Sequence, residues 1–506
     1  MALDPELLES LPDSLVEMYS AVEADILGDM ARRIAAYDYF IPAAQHQLQK
    51  LQELGAAREE IIARLSATTG QTQAEIVSLL SEAASEAIAD DVEYYTAAEV
   101  YEPSKVNTEA LYKQLNSGLL QTQQAFFNIT GTTADTATKQ FEHALDRAWM
   151  QINTGGFDYN TAVKNAVKDL SKAGIGSIKY KSGRVDNIEV AVRRAVVTGA
   201  NQTALKTQEA LADELEVDLV ETTAHGGARP THAKWQGKVF SRKGRKKVEG
   251  VVYEDLAKST GYGRGDGLGG WNCRHTFHPY IPGAPRAYSK KQLKNYDAKN
   301  IEYNGVKMTE YEASQIQRGM ERNIRRWKRE NAAMKAAGLD TTESAAKIRQ
   351  WQDTQKDFLN QTGLKRQSAR EQIAGYGKNE AAATAHDAKV LQRMLEDARI
   401  KATAGLPKTI KAANTKTVET LGFEFPSRSG VVPKGAELSD VTVIAGQGTS
   451  IVLKDWKRLY NQHGGDPIAW QKKVGTVKTD NFSYEVHWHE RDGVVPDGES
   501  KVVRVK

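Results

Sequence analysis

Apolar residues in the first two hundred positions recur at helical spacing. Between residues 14 and 37 they fall at Leu15, Met18, Tyr19, Val22, Ile26, Met30 and Ile34, one stripe of an amphipathic helix of about six turns. Pro42 opens a second helix predicted over 43–54, and Ile61, Ile62 and Leu65 mark the inward face of a third over 58–65. Thr72 followed by Glu75 has the form of a capping box, which predicts a new helix through IVSLLSEAASEAIADDVEYY. Helices are also predicted over 111–127 and 134–152, parted by Gly131-Thr-Thr and ended by Gly155-Gly156, and then over 159–172 and 187–215. Between the last two, AGIGSIKYKSGRVD reads as a loop or hairpin. Ile188, Val192, Ala195, Val196, Gly199 and Thr203 line one face of the 187–215 segment, as in a core helix.

After Leu215 the pattern shifts to short runs rich in β-branched and aromatic residues: VDLVETT, GKVFS, GVVYED and HTFHPYI, all strand candidates. Past Pro285 helical spacing returns over 311–337, 344–359, 366–373 and 380–400. The final stretch is again strand-like, in VTVIAG, GTVKT, FSYEVHWHE and KVVRVK, with one helix over 454–463 stopped by Gly464-Gly465. The expected fold is multidomain and mainly α. It divides into an acidic helical arm (1–104), a helical domain (105–216), a small central α+β module (217–285), a basic helical region (286–400), a linker (401–425) and a small α+β C-terminal domain (426–506).

Composition adds a charge division to this picture. Residues 1–104 carry five Lys and Arg against twenty Asp and Glu, net −15, which leaves 63 against 45, or +18, for the rest. The acidic part is suited to protein partners and the basic part to nucleic acid. No run reaches the roughly 18 apolar residues of a membrane span, and MALDPELLESLPDSLVE is acidic where a secretory leader is basic and then apolar. A cytosol-like compartment is therefore expected. One cysteine excludes an intrachain disulfide, leaving packing, assembly or a metal as sources of stability.

The unusual side chains concentrate between Thr222 and Pro282, which hold His225, His232, His275 and His278, the cysteine Cys273, and Trp235 and Trp271. ARPTHAKWQGKVF and GGWNCRHTFHPYIPG stand here in order, preceded by VAVRRAVVTGANQTA and followed by YEASQIQRGMERNIRRWKRE. In this combination the chain resembles the phage minor capsid and head morphogenesis proteins, a family related to protein F of phage Mu. The resemblance implies a structural virion component, present in few copies near the portal or inside the head and in the host cytoplasm during assembly. Portal and major capsid proteins and packaged DNA are the implied partners. No reaction is implied.

Cys273, His275 and His278 follow the spacing C-x-H-x-x-H, with His225 and His232 across a glycine-rich loop, so one structural zinc has candidate thiolate and imidazole ligands here. Relatives of the family often carry a second cysteine where His275 stands. A hydrogen-bonded network joining the two halves of the module is the other reading. A catalytic alternative would use Cys273 as nucleophile, with His232 or His275 as base and Asp266 orienting it. The tip SRKGRKK offers Arg242, Lys243, Arg245, Lys246 and Lys247 for DNA phosphates, against a plain solvated turn. Arg318, Arg322, Arg325, Arg326 and Arg329 offer the same from a helix in which Ile324 and Trp327 form the core side, and Arg193 and Arg194 offer assembly contacts. His487 and His489, two apart on a strand with His463 in reach, raise a nuclease-like or metal-binding pair in the C-terminal domain, for which a toxin-like effector is a further alternative. A structural head protein is the leading expectation, and a DNA-binding or DNA-processing enzyme the rival.

Overall fold

A computed structural model describes residues 4–179, 183, 185–403, 406–412, 436–463, 466, 469–478, 483–496 and 499–505. Two compact units divide the chain, residues 1–385 and 386–506. The first opens with α1 (Pro5–Ser10), α2 (Asp13–Ala36), α3 (Ala43–Ala97), α4 (Thr108–Asn153) and α5 (Tyr159–Ala173). An antiparallel pair, β1 (Gly176–Lys179) and β2 (Val185–Asn187), leads into α6 (Ile188–Glu214).

Where three helices were expected between 43 and 97 there is one, of 55 residues and about 80 Å. Its buried positions explain the continuity. Leu54, Ala57, Ile61, Leu65, Thr69, Thr72, Ile76, Leu80, Ala83 and Ala87 keep steps of three and four without a break, so one stripe packs along its whole length. Thr72 is no cap, since its hydroxyl donates to the carbonyls of Thr68 (2.9 Å) and Thr69 (2.8 Å). Gly55 and Gly70 each cost the helix on the order of 1 kcal/mol, which packing along the stripe outweighs. Gly131 is absorbed into α4 in the same way.

Helices α2 to α6 enclose one apolar core, closed at one end by Ala333 and Met334. Where α4 and α6 cross, Gly118 lies against Thr203 and Gly199 against Thr122, each glycine four residues from the threonine on its own helix. A Cβ on Gly118 would stand 2.0 Å from the Thr203 hydroxyl, and one on Gly199 2.3 Å from that of Thr122. The two helices therefore approach at backbone distance.

The module after α6 contains β3 (Leu219–Thr222), α7 (Pro230–Ala233), β4 (Val239–Ser241), β5 (Lys246–Val248), β6 (Val251–Tyr253), α8 (Leu256–Thr260) and β7 (Phe277–Pro279). β3 is the middle of a three-stranded antiparallel sheet flanked by β4 and β7, while β5 and β6 form a separate hairpin. Beyond it come α9 (Lys290–Tyr296), the hairpin β8 (Ile301–Tyr303) and β9 (Val306–Met308), α10 (Glu310–Ala336), α11 (Thr342–Thr362) and α12 (Lys378–Thr403). The helix expected over 366–373 is only a 3-10 turn, Ser368–Glu371.

In the second unit β10 (Ile410–Lys411), β11 (Ser439–Gly446), β12 (Trp470–Lys478), β13 (Ser483–Arg491) and β14 (Ser500–Val505) form an antiparallel sheet in sequence order, with α13 (Trp456–His463) after β11. Tyr484, Val486 and Trp488 alternate along β13 into a core with Leu438, Val441 and Val477. The Gly464-Gly465 stop and the linker from 413 onward lie outside the described residues. Among the described residues no helix is long and apolar enough to cross a membrane.

Candidate functional site

The central module is held on α6 by side chains that the apolar pattern does not announce. Fully buried Asn201 donates to the carbonyls of Cys273 (2.6 Å) and His275 (3.1 Å), and Gln202 to that of Gly269 (3.0 Å). Arg229 closes the other side by donating to the Trp271 (2.6 Å) and Asn272 (3.3 Å) carbonyls. The glycine-rich loop packs backbone on backbone: a Cβ on Gly267 would fall 2.1 Å from the Gly261 carbonyl oxygen. Together these interactions fix the position of Cys273.

Around Cys273 the structure gathers His232 and His275, each with Nδ1 at 3.7 Å from Sγ, all three side chains buried. The far nitrogens are committed elsewhere. His232 Nε2 donates to the Asp266 carbonyl (3.0 Å) and His275 Nε2 to Gln236 Oε1 (3.2 Å). The ring of His225 stacks on that of His275 at 4.4 Å and donates from Nδ1 to the Gly226 carbonyl (2.7 Å), leaving its buried Nε2 without a hydrogen-bond partner. His278 is not part of the group. It faces buried Glu221 at 3.6 Å, beside Arg286 at 3.1 Å.

Burial sets the protonation. It pushes His225 down to about 4 with help from the Arg274 charge, lowers His232, and holds His275 well below the ordinary imidazole range along with the neighbouring His225 and His232. Burial also raises the Cys273 thiol, the opposite of what activates a nucleophile. The site at neutral pH is three neutral imidazoles and a thiol.

These groups line one wall of a cavity of about 330 Å³ whose other walls are rich in arginine. Arg318, Arg322 and Arg325 come from α10, Arg193 from α6 and Arg370 from the 3-10 turn. Glu9, on α1, reaches into them. It pairs with Arg274 and Arg370 and lies 3.8 Å from Arg318, and these charges hold its carboxyl below the usual range although burial acts the other way. Glu9 escaped the sequence reading because its partners lie hundreds of residues away.

The arginines expected to face DNA are largely turned inward. Arg325 pairs with buried Glu189, Arg329 with buried Glu23 at 3.4 Å, and Arg326 lies over the Trp327 ring at 4.4 Å. Arg193 donates to Asp13 (2.7 Å), and Arg194 pairs with Asp186 at 2.5 Å. At the hairpin tip Arg242 is a staple, donating to the Val217 carbonyl (2.7 Å) and to Asp213 (2.9 Å). Lys243, Arg245, Lys246 and Lys247 are exposed. In the second unit His463 (3.1 Å) and His489 (2.9 Å) share Glu499 with Arg458, and this set holds Glu499 at about 2 against its burial. His487 instead meets Glu485 at 2.9 Å.

Long helices cross-tied by buried ion pairs around a small, polar-stapled module define a helical protein whose ionisable chemistry serves mainly its own architecture. The chain belongs to the family described as phage minor capsid protein 2, which matches residues 3–360. It is similar to a structural protein of Lactococcus phage LL-H, 26% identical over 282 residues, covering 53% of this chain and 72% of that one. A structural protein of Lactococcus phage mv4 is 32% identical over 117 residues, 22% of this chain and 87% of that one. No solved structure matches the chain.

Proposed function

We propose that this minor capsid protein acts in head assembly near the portal, meeting other head proteins through its acidic helices and packaged DNA through its basic hairpin. Family membership over residues 3–360 carries the reading. The buried, raised Cys273 thiol supports a scaffold over a thiol enzyme. The acidic helices share the core of the first unit, so the partner surface is tested by surface charge rather than by deletion. Glu59, Glu82 and Glu86 are exposed on α3. Changing all three to Gln should weaken capture of the portal protein from an assembly mixture while the melting temperature stays put. Unchanged capture would count against this surface.

DNA contact falls to Lys243, Arg245, Lys246 and Lys247, with Arg242 excluded by its stapling role. Neutralising these four should weaken sequence-independent DNA binding. It should also reduce the slope of log K against log salt by about 0.9 for each phosphate that is no longer neutralised. A salt slope equal to that of the unaltered chain would make the tip a solvated turn.

A further inference from the structure

His232 and His275 each spend the Nε2 proton on an oxygen acceptor, the Asp266 carbonyl and Gln236 Oε1, so in both neutral rings Nδ1 carries the lone pair. Both bare nitrogens lie 3.7 Å from one sulfur. A thiol has a single proton, for which the His275 carbonyl at 3.8 Å also competes, so at least one of the two bare nitrogens faces a sulfur lone pair. A cation between the three atoms removes the conflict. With Zn–S near 2.3 Å, Zn–N near 2.05 Å and tetrahedral angles, sulfur and nitrogen would stand about 3.6 Å apart. The observed separations already match this, and all three ligand atoms lie within 4.8 Å of one another. Oxygen acceptors on the far ring nitrogens are also how metal-binding histidines are oriented.

From this geometry we infer that His232 Nδ1, Cys273 Sγ and His275 Nδ1 hold a zinc ion whose fourth position opens on the arginine-lined cavity and accepts a phosphate group. All three ligands line that cavity, whose walls carry seven arginines against three glutamates. Among the described ion pairs none engages Arg229 or Arg322, so the space holds positive charge that Glu9 and Glu189 leave uncompensated. Metal binding takes the thiol proton, which makes Cys273 a thiolate ligand. The proposal goes beyond the assembly reading and does not rest on it.

The test uses the full chain loaded with Co²⁺, a spectroscopically visible stand-in for zinc. One cobalt per chain is expected, with a thiolate-to-metal charge-transfer band and intense tetrahedral ligand-field bands, all lost when zinc displaces it. Cys273→Ser should lose the charge-transfer band. Because that variant can fail to fold, Gln236→Ala provides a second measure: it touches no metal and should weaken binding roughly 10–100-fold by freeing the His275 ring, along with the His225 amide that shares the same oxygen. Inorganic phosphate and a dinucleotide phosphodiester are then titrated separately, which tells a free oxyanion from a nucleic-acid backbone. A shift of the ligand-field bands with either supports the open position. Absence of stoichiometric cobalt, or a bound cobalt without the charge-transfer band, overturns the metal site. Bands that move with neither anion overturn the open position, as a fourth ligand such as His225 would cause. None of these failures touches the portal-capture result, so the two readings fall separately.

Discussion

Replacing Arg329 by methionine should cost about 3–5 kcal/mol, because it strands a buried carboxylate. Glu23 is 1% exposed in side chain, Arg329 7%, and their ion pair of 3.4 Å joins α2 to α10. The other oxygen of Glu23 accepts from the Ile175 amide (2.8 Å), so the strand entry after α5 hangs on the same carboxylate. Gly174 makes room for the pair, since a Cβ there would meet Glu23 at 2.7 Å and the Arg329 guanidinium carbon at 3.0 Å. Burial raises the Glu23 carboxyl above its ordinary range, with Arg329 acting against it and Glu189 adding to it. The folded chain thus holds this proton more tightly than the unfolded chain. Its contribution is full at acid pH, below the unfolded value, and is lost as pH rises through the raised folded value. Removing Arg329 should steepen that loss. A pH series of denaturant melts would check both, and Glu23→Gln added to Arg329→Met, which removes the stranded charge and keeps an acceptor for the Ile175 amide, should restore most of the stability. A single variant that melts normally but binds DNA weakly would return Arg329 to the surface role suggested by the basic helix pattern.

That reversal marks where sequence reading stops. The stripes of α2, α5, α6 and α10 were visible because each face keeps one period, and the strands of the central module because the period changes after Leu215. Helix α10 looked like an exposed cationic surface because nothing local reveals Glu23 and Glu189, 306 and 136 residues away from their arginines. The merging of α3 was hidden for the opposite reason: glycines and a capping-box pattern are strong local signals, yet each weighs less than an unbroken buried stripe. The β8–β9 hairpin was open to reading and went unread. Asn304-Gly305 takes positive φ at both residues (49° and 80°), the turn that an Asn-Gly pair between short apolar runs announces. At the candidate site the spacing pointed to the module in which His232, Cys273 and His275 come together. It did not separate His278, which faces Glu221, from His232 and His275, which face Cys273, because that choice depends on how β7 pairs with β3.

A second large loss is expected at Asn201, inside VAVRRAVVTGANQTA. Its amide nitrogen is the donor to two buried carbonyls, those of Cys273 and His275, from a side chain with no solvent exposure. Asn201→Leu nearly keeps the size of the side chain and removes both hydrogen bonds, leaving the Cys273 carbonyl unpaired and the His275 carbonyl with only the weak Cys273 thiol donor at 3.8 Å. At about 1–3 kcal/mol for each, the expected loss is about 2–6 kcal/mol. The damage should be local at first. The Gly-rich loop and Cys273 would come away from α6, while the helical core around Phe126, Phe141 and Leu145 keeps its own packing. Amide hydrogen exchange should therefore show loss of protection across residues 261–279 before any in α3 or α4. Uniform loss of protection through the helices would mean that the module and the helical core unfold as one body. No change in the 261–279 segment would mean that Asn201 does not hold the module in place.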